Sequence, residues 1–233
     1  MPGLLFTNQL NMKSYIIQYN QYFTDVKNLP SGLLRRSGIY LQALVYLLLL
    51  AGLLLPPSAG AAGREWSMGA YAGKYYDTEP AAFYQGATDY LNHYIVAVTA
   101  SKTLWHAEEW PFAIELDGML GYQFGLATLQ EVAVAPVARW YGFPWNHYLQ
   151  TDVRFGPVGV SYTSIVSPIE RGPNGDGSHF LNFLLFELGF SLPEKKEHEV
   201  FLRLHHRCSG YDTLNNFGAN GEDFFALGYR QYY

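Results

Sequence analysis

From residue 65 onward the chain alternates apolar and polar side chains in eight runs: 65–76, 92–105, 111–124, 129–140, 147–162, 179–192, 197–209 and 222–233. A two-residue period is that of a β-strand with one face on each side of a sheet. The clearest runs are Glu131-Val-Ala-Val-Ala-Pro-Val-Ala-Arg-Trp140, His179 to Ser191, and the final two. At about 10–14 residues each they suit strands crossing a bilayer at a tilt and are long for a soluble sandwich. No helical period competes after residue 63. The link Leu192-Pro-Glu-Lys-Lys-Glu-His198 is short, whereas Arg171-Gly-Pro-Asn-Gly-Asp-Gly177 is longer and rich in glycine. Short turns at one end and long loops at the other predict an eight-stranded antiparallel outer-membrane β-barrel, all-β, over residues 63–233. The seventh and eighth strands then form a hairpin whose loop lies on the long, extracellular side.

The last run sets the facing. Phe225, Leu227, Tyr229 and Tyr233 share one face, and Ala226, Gly228 and Arg230 the other. Large apolar residues outward and small or charged residues inward fit a narrow membrane barrel. The competing reading is a soluble, lipocalin-like barrel with its large residues inside, because periodicity does not say which face is wet. Trp105, Trp110, Trp140 and Trp145 fall near strand ends, as an interfacial girdle does. Glu131, Arg154 and Glu187 are expected to pair inside the barrel. Arg203 and Arg207 are either lumen charges or contacts to lipid phosphate.

Ahead of the barrel, residues 1–34 show no core pattern and are expected to be a disordered extension. Arg35-Arg36, an apolar run from Ile39 to Leu55 and the small residues up to Ala62 read as a signal peptide over 35–62, a signal-type helix. Cleavage near Ala59–Ala62 leaves about 170 residues, one domain in size. An uncleaved anchor is the alternative, although the run is short of the roughly 20 residues of a span.

Composition agrees with a surface that partly faces lipid: aromatic residues make up 17% of the chain and charged residues only 15%. Mean hydropathy of -0.05 excludes a bundle of membrane helices but not a barrel. A net charge of -5 gives no reason to expect nucleic acid. One cysteine allows no internal disulfide. His93, His106, His147 and His179 show no ligand spacing, so neither a metal nor another cofactor is expected.

The candidate chemistry lies where the hairpin strands meet. Val200-Phe-Leu-Arg-Leu-His-His-Arg-Cys-Ser-Gly210 ends in two histidines, a cysteine and a serine, and the last strand opens on Glu222-Asp223. Antiparallel pairing brings these groups together. Base, nucleophile and carboxylate are the parts of a nucleophilic ester hydrolase. The bland reading is a polar strand end beside an ordinary turn.

At these residues the chain resembles the PagL-type lipid A 3-O-deacylases, also described as acyloxyacyl hydrolase-like. The resemblance rests on Arg203-Leu-His-His-Arg-Cys-Ser-Gly210, the Gly/Asn-rich loop and Ala226-Leu-Gly-Tyr-Arg230. It is specific over about residues 200–233 and only architectural before that. It implies an eight-stranded barrel in the bacterial outer membrane that removes an ester-linked acyl chain from lipid A without a cofactor. Lipid A or lipopolysaccharide and membrane lipids are the implied partners, and a homodimer is left open. His206 becomes the base, Ser209 the nucleophile and Glu222 the orienting carboxylate. The family motif separates His and Ser by one residue, whereas two separate His206 from Ser209. A bulge near Arg207–Cys208 that brings Ser209 beside His206 is the favoured resolution. His205 as the base of Ser209, or Cys208 as the nucleophile, are the others. Gly210 N–H and Asn215, Asn216 or Asn220 are candidate oxyanion donors. A non-enzymatic barrel with a structural or lipid-binding role is the alternative function.

Overall fold

The computed structural model describes residues 65–76, 90–172, 174–210 and 221–233. The extension 1–34, the signal-type segment 35–62 and the three candidate asparagines of the last loop lie outside the described residues. The strands are β1 (Trp66–Tyr76), β2 (Tyr90–His106), β3 (Phe112–Phe124), β4 (Leu129–Trp140), β5 (Gln150–Gly156), β6 (Val160–Thr163), β7 (Phe180–Leu192), β8 (Lys195–Cys208) and β9 (Glu222–Tyr232). Consecutive strands pair antiparallel except β5 with β6, and β9 returns to pair with β1. The sheet therefore closes and has no free edge.

The expected fifth strand over 147–162 is present as two halves. β5 and β6 both lie between β4 and β7, so nine strands make eight barrel staves. The break is a bulge. Gly156 pairs with Leu185 and Val160 with Asn182, so four steps on one strand face three on the other. Inward positions run 152, 154, 156 before it and 159, 161, 163 after it. Pro157 has no N–H to give a ladder. Gly159 runs so close to β4 and β7 that a Cβ there would sit 2.7 Å from Ala135 Cβ and 2.8 Å from Phe183 O. At the opposite end β7 and β8 turn through Pro193-Glu194 alone, with Leu192 facing Lys195, so the seventh strand starts two residues earlier than expected.

Polarity is inverted relative to a soluble barrel. Arg154, Arg203, Arg207 and Arg230 are fully buried, while Val132, Val134, Phe155, Phe186, Val200, Phe225, Leu227 and Tyr229 are exposed. Water on the outer face would leave that apolar belt without a partner, and a bilayer supplies one. The closed sheet satisfies its own backbone, as spanning hydrocarbon requires. The lipocalin-like alternative is thereby excluded, and the chain is a β-barrel of the bacterial outer membrane. Trp66, Trp105, Trp110, Trp140 and Trp145 are exposed around the end where β1 begins. At the other end Tyr94 stacks on Phe124 and Tyr162 packs on Phe180. These are the two interfacial girdles.

The lumen is filled rather than open. An apolar layer of Tyr71, Ile95, Met119, Phe183, Phe201 and Phe224 crosses it. A charge lattice lies beside that layer. Glu187 receives Arg154, Arg203 (2.5 Å) and Arg230 (2.8 Å). Arg154 also donates to Glu115 (2.8 Å), Ser101 (2.9 Å) and Asp117 (3.0 Å). The expected Arg154–Glu187 pair is present. Glu131 pairs elsewhere, with Ser161, Gln123 and His205. Arg203 and Arg207 are lumen charges and do not reach lipid. Removing one partner of such a lattice strands buried charge. Arg154→Leu is expected to destabilise the barrel by about 3–5 kcal/mol, read as a lower urea midpoint of the protein folded in lipid vesicles.

Candidate active site

Strand parity sorts the chemistry at the top of β8. Glu199, Phe201, Arg203, His205 and Arg207 point into the lumen; Val200, Leu202, Leu204, His206 and Cys208 face outward. On β9 the outward set is Asp223, Phe225, Leu227 and Tyr229, and Glu222 is inward. Pairing runs without a shift from His198 opposite Gln231 to Arg207 opposite Glu222, so His206 stands across from Asp223. Directly opposed side chains on one face are the closest neighbours a sheet provides.

The contacts follow. His206 Nδ1 and Asp223 Oδ1 are 2.6 Å apart, with side chains 22% and 13% exposed. Cys208 follows His206 by two residues on the same outward face of β8. The Cys208 sulfur receives the Asn182 amide N–H at 3.7 Å. Gly210 has φ +62°, a left-handed conformation that glycine adopts without steric cost as the chain leaves the strand. Gly221 backs the cluster: a Cβ there would lie 3.0 Å from His206 Cε1 and 2.9 Å from Arg207 O. Asn182, Cys208, His206 and Asp223 thus form a polar patch across β7, β8 and β9 on a face that is otherwise Leu, Phe and Val.

Three sequence expectations change. The bulge near Arg207–Cys208 is absent, because the β7 ladder runs in register through Cys208 and the β9 ladder to Arg207. Ser209 lies one residue past the end of β8. Glu222 is not brought to His206. Its carboxylate lies in the lumen, 3.1 Å from His93 Nε2 and 3.6 Å from Arg207 Nη1. His205 is inward too, bonded by Tyr71 Oη (2.9 Å) and close to Glu131 (3.2 Å), between Phe183 and Phe224. It holds the lumen together and does not face the outer patch. Of the expected residues His206 and Cys208 share the outward face of β8, and the carboxylate beside His206 is that of Asp223.

Asp223 was legible in principle. Phe225 and Leu227 face lipid, and Asp223 shares their parity while Glu222 does not. Asn182 carries no comparable signal: one asparagine in an apolar run becomes informative only through its register with Cys208.

No family model matches the chain, and no curated protein sequence matches it. Among solved structures it is similar to the outer membrane enzyme PagL, at 16% identity and TM-score 0.48, over 71% of this chain and 98% of that one. It is also similar to Neisserial surface protein A, at 8% identity and TM-score 0.46, over 75% and 100%. The Yersinia pestis outer membrane protein Ail aligns at 10% identity and TM-score 0.32, over 70% and 99%. The chemistry of the site follows from its own geometry.

Proposed function

We propose that this barrel is an outer-membrane hydrolase that removes an ester-linked acyl chain from lipid A, with Cys208 as nucleophile, His206 as base and Asp223 as the carboxylate that orients it. The observation that carries this reading is the 2.6 Å contact of His206 with Asp223 on the outward face, where Cys208 is the next outward residue of β8. A base fixed by a carboxylate with a nucleophile beside it is the arrangement of nucleophilic acyl transfer. Placement on the lipid side argues for a substrate in the bilayer. Water-soluble esters would reach a site in the lumen or a loop more easily than one between Leu204 and Phe225. The resemblance over residues 200–233 supplies the substrate class, and its one-residue spacing between base and nucleophile is that of His206 and Cys208, not of His206 and Ser209.

In the proposed reaction His206 takes the thiol proton and the sulfur attacks the ester carbonyl. The tetrahedral intermediate collapses as the carbon–oxygen bond breaks, and His206 returns the proton to the leaving hydroxyl. Water then cleaves the acyl thioester with His206 as base again. Every bond change is met by the triad, the ester and water.

The test is the mass of lipid A from a bacterial host producing the full chain. The wild-type protein should yield lipid A lighter by one acyl group, and His206→Ala should leave lipid A intact while the barrel still assembles. Unchanged lipid A with well-assembled wild-type protein would favour the lipid-binding barrel instead.

A further inference from the structure

The proposed hydrolase needs donors for the negative charge that develops on the ester oxygen, and the sequence offered them only in the last loop. The bulge between β5 and β6 points to a different one. It takes two backbone groups, Pro157 C=O and Gly159 N–H, out of the ladder. Both are bound by one side chain: Asn182 Oδ1 accepts from Gly159 N–H (3.3 Å) and Asn182 Nδ2 donates to Pro157 O (3.4 Å). Asn182 sits at an outward position of β7, yet it is only 8% exposed because the bulge folds against it. Its amide group also reaches the Cys208 sulfur at 3.7 Å.

A polar amide on a hydrocarbon-facing strand is costly unless it is fully bonded. The bulge binds it on two sides and leaves one N–H directed at the sulfur. Register explains the aim: Asn182 stands directly across from Cys208, as Asp223 does from His206. Gly210, two residues beyond Cys208 and at φ +62°, turns the chain away where β8 ends.

We infer that Asn182 Nδ2–H and Gly210 N–H together form the oxyanion hole of this site, with the β5–β6 bulge as the device that fixes the Asn182 amide. This assignment rests on the hydrolase reading given above. When Cys208 Sγ bonds to the ester carbon, the carbonyl π electrons move onto oxygen. That oxygen lies one bond from the carbon attached to sulfur, within the space the two donors face. Both donors are preorganised by strand and turn, so no reorientation accompanies the charge. They release it when the carbonyl re-forms and the alcohol departs. The third strand of the site thus comes from β7, and the catalytic patch spans β7 to β9.

The experiment is steady-state kinetics of the full chain in detergent micelles with dispersed lipid A. It compares the wild-type protein with Asn182→Ala and Asn182→Asp. Loss of one oxyanion donor is expected to lower kcat about 10²- to 10³-fold. KM should stay within about threefold, because the donor acts on charge absent from the ground state. Asn182→Asp keeps an oxygen for Gly159 N–H and loses the donor, so it should fold and should be at least as slow as Asn182→Ala. Iodoacetamide labelling of Cys208 should persist in both variants, which separates a lost donor from a lost nucleophile. A kcat within threefold of wild type in either variant, or a loss confined to KM, would overturn the assignment of Asn182 while leaving the triad in place. A wild-type protein with no turnover of lipid A overturns the hydrolase reading itself and the oxyanion hole with it.

Discussion

Cys208→Ala is expected to abolish lipid A deacylation, with a loss on the order of 10⁴-fold or more, while Ser209→Ala leaves the rate within a few-fold of wild type. The asymmetry follows from β8 itself. Strict alternation puts Cys208 on the face of His206, and the unshifted ladders to β7 and β9 leave no irregularity that would carry Ser209 there. The barrel should survive the change, since a half-exposed cysteine at a strand end leaves little cavity when cut to alanine. Cys208→Ser separates sulfur from position. A hydroxyl at the same place keeps the geometry but is the weaker nucleophile at its ordinary pKa, so activity should fall without vanishing. The measurement is the rate of acyl release with heat-modifiable migration as the check on folding. Full loss in Ser209→Ala with retention in Cys208→Ala would return the nucleophile to Ser209.

The second large effect distinguishes two adjacent carboxylates. Asp223→Asn should reduce kcat by about 10³- to 10⁴-fold with little change in stability, because an amide at that position no longer holds the ring in the tautomer that accepts the thiol proton. Glu222→Gln should act the other way round. It removes a buried charge facing Arg207 and His93, so it should alter stability, with kcat near wild type in the molecules that fold. Paired kinetics and urea midpoints of the two variants decide the matter. If Glu222→Gln loses turnover at unchanged stability and Asp223→Asn does not, the lumen carboxylate is the functional one.

The architecture was legible because membrane barrels write both faces into a two-residue period. Phe225, Leu227 and Tyr229 against Ala226, Gly228 and Arg230 carried the inversion of polarity, and the buried Arg230 confirms it. The strand break at Pro157–Gly159 was marked by a proline and a glycine in an otherwise continuous run, yet its consequence was not: a bulge changes parity only after a partner strand is known. The site was half legible. His206 and Cys208 share a face by arithmetic alone, but the resemblance put the nucleophile at Ser209, three residues beyond His206, and so favoured a bulge that β8 does not have. Glu222 came from the same resemblance, although the outward parity of Phe225 puts Asp223, not Glu222, on the face of His206. Asn182 lies 26 residues from Cys208 in sequence, and only the β7–β8 register brings them together.

The most direct measurement is the intact mass of the full-length protein mixed with excess lipid A and quenched in acid during turnover, followed by mapping of the modified peptide. The account predicts a mass increase of one acyl group on the peptide carrying Cys208, removed by neutral hydroxylamine as a thioester is, and missing in Cys208→Ala. An acyl group on Ser209 that resists neutral hydroxylamine, or acyl release unaffected by Cys208→Ala, would contradict it.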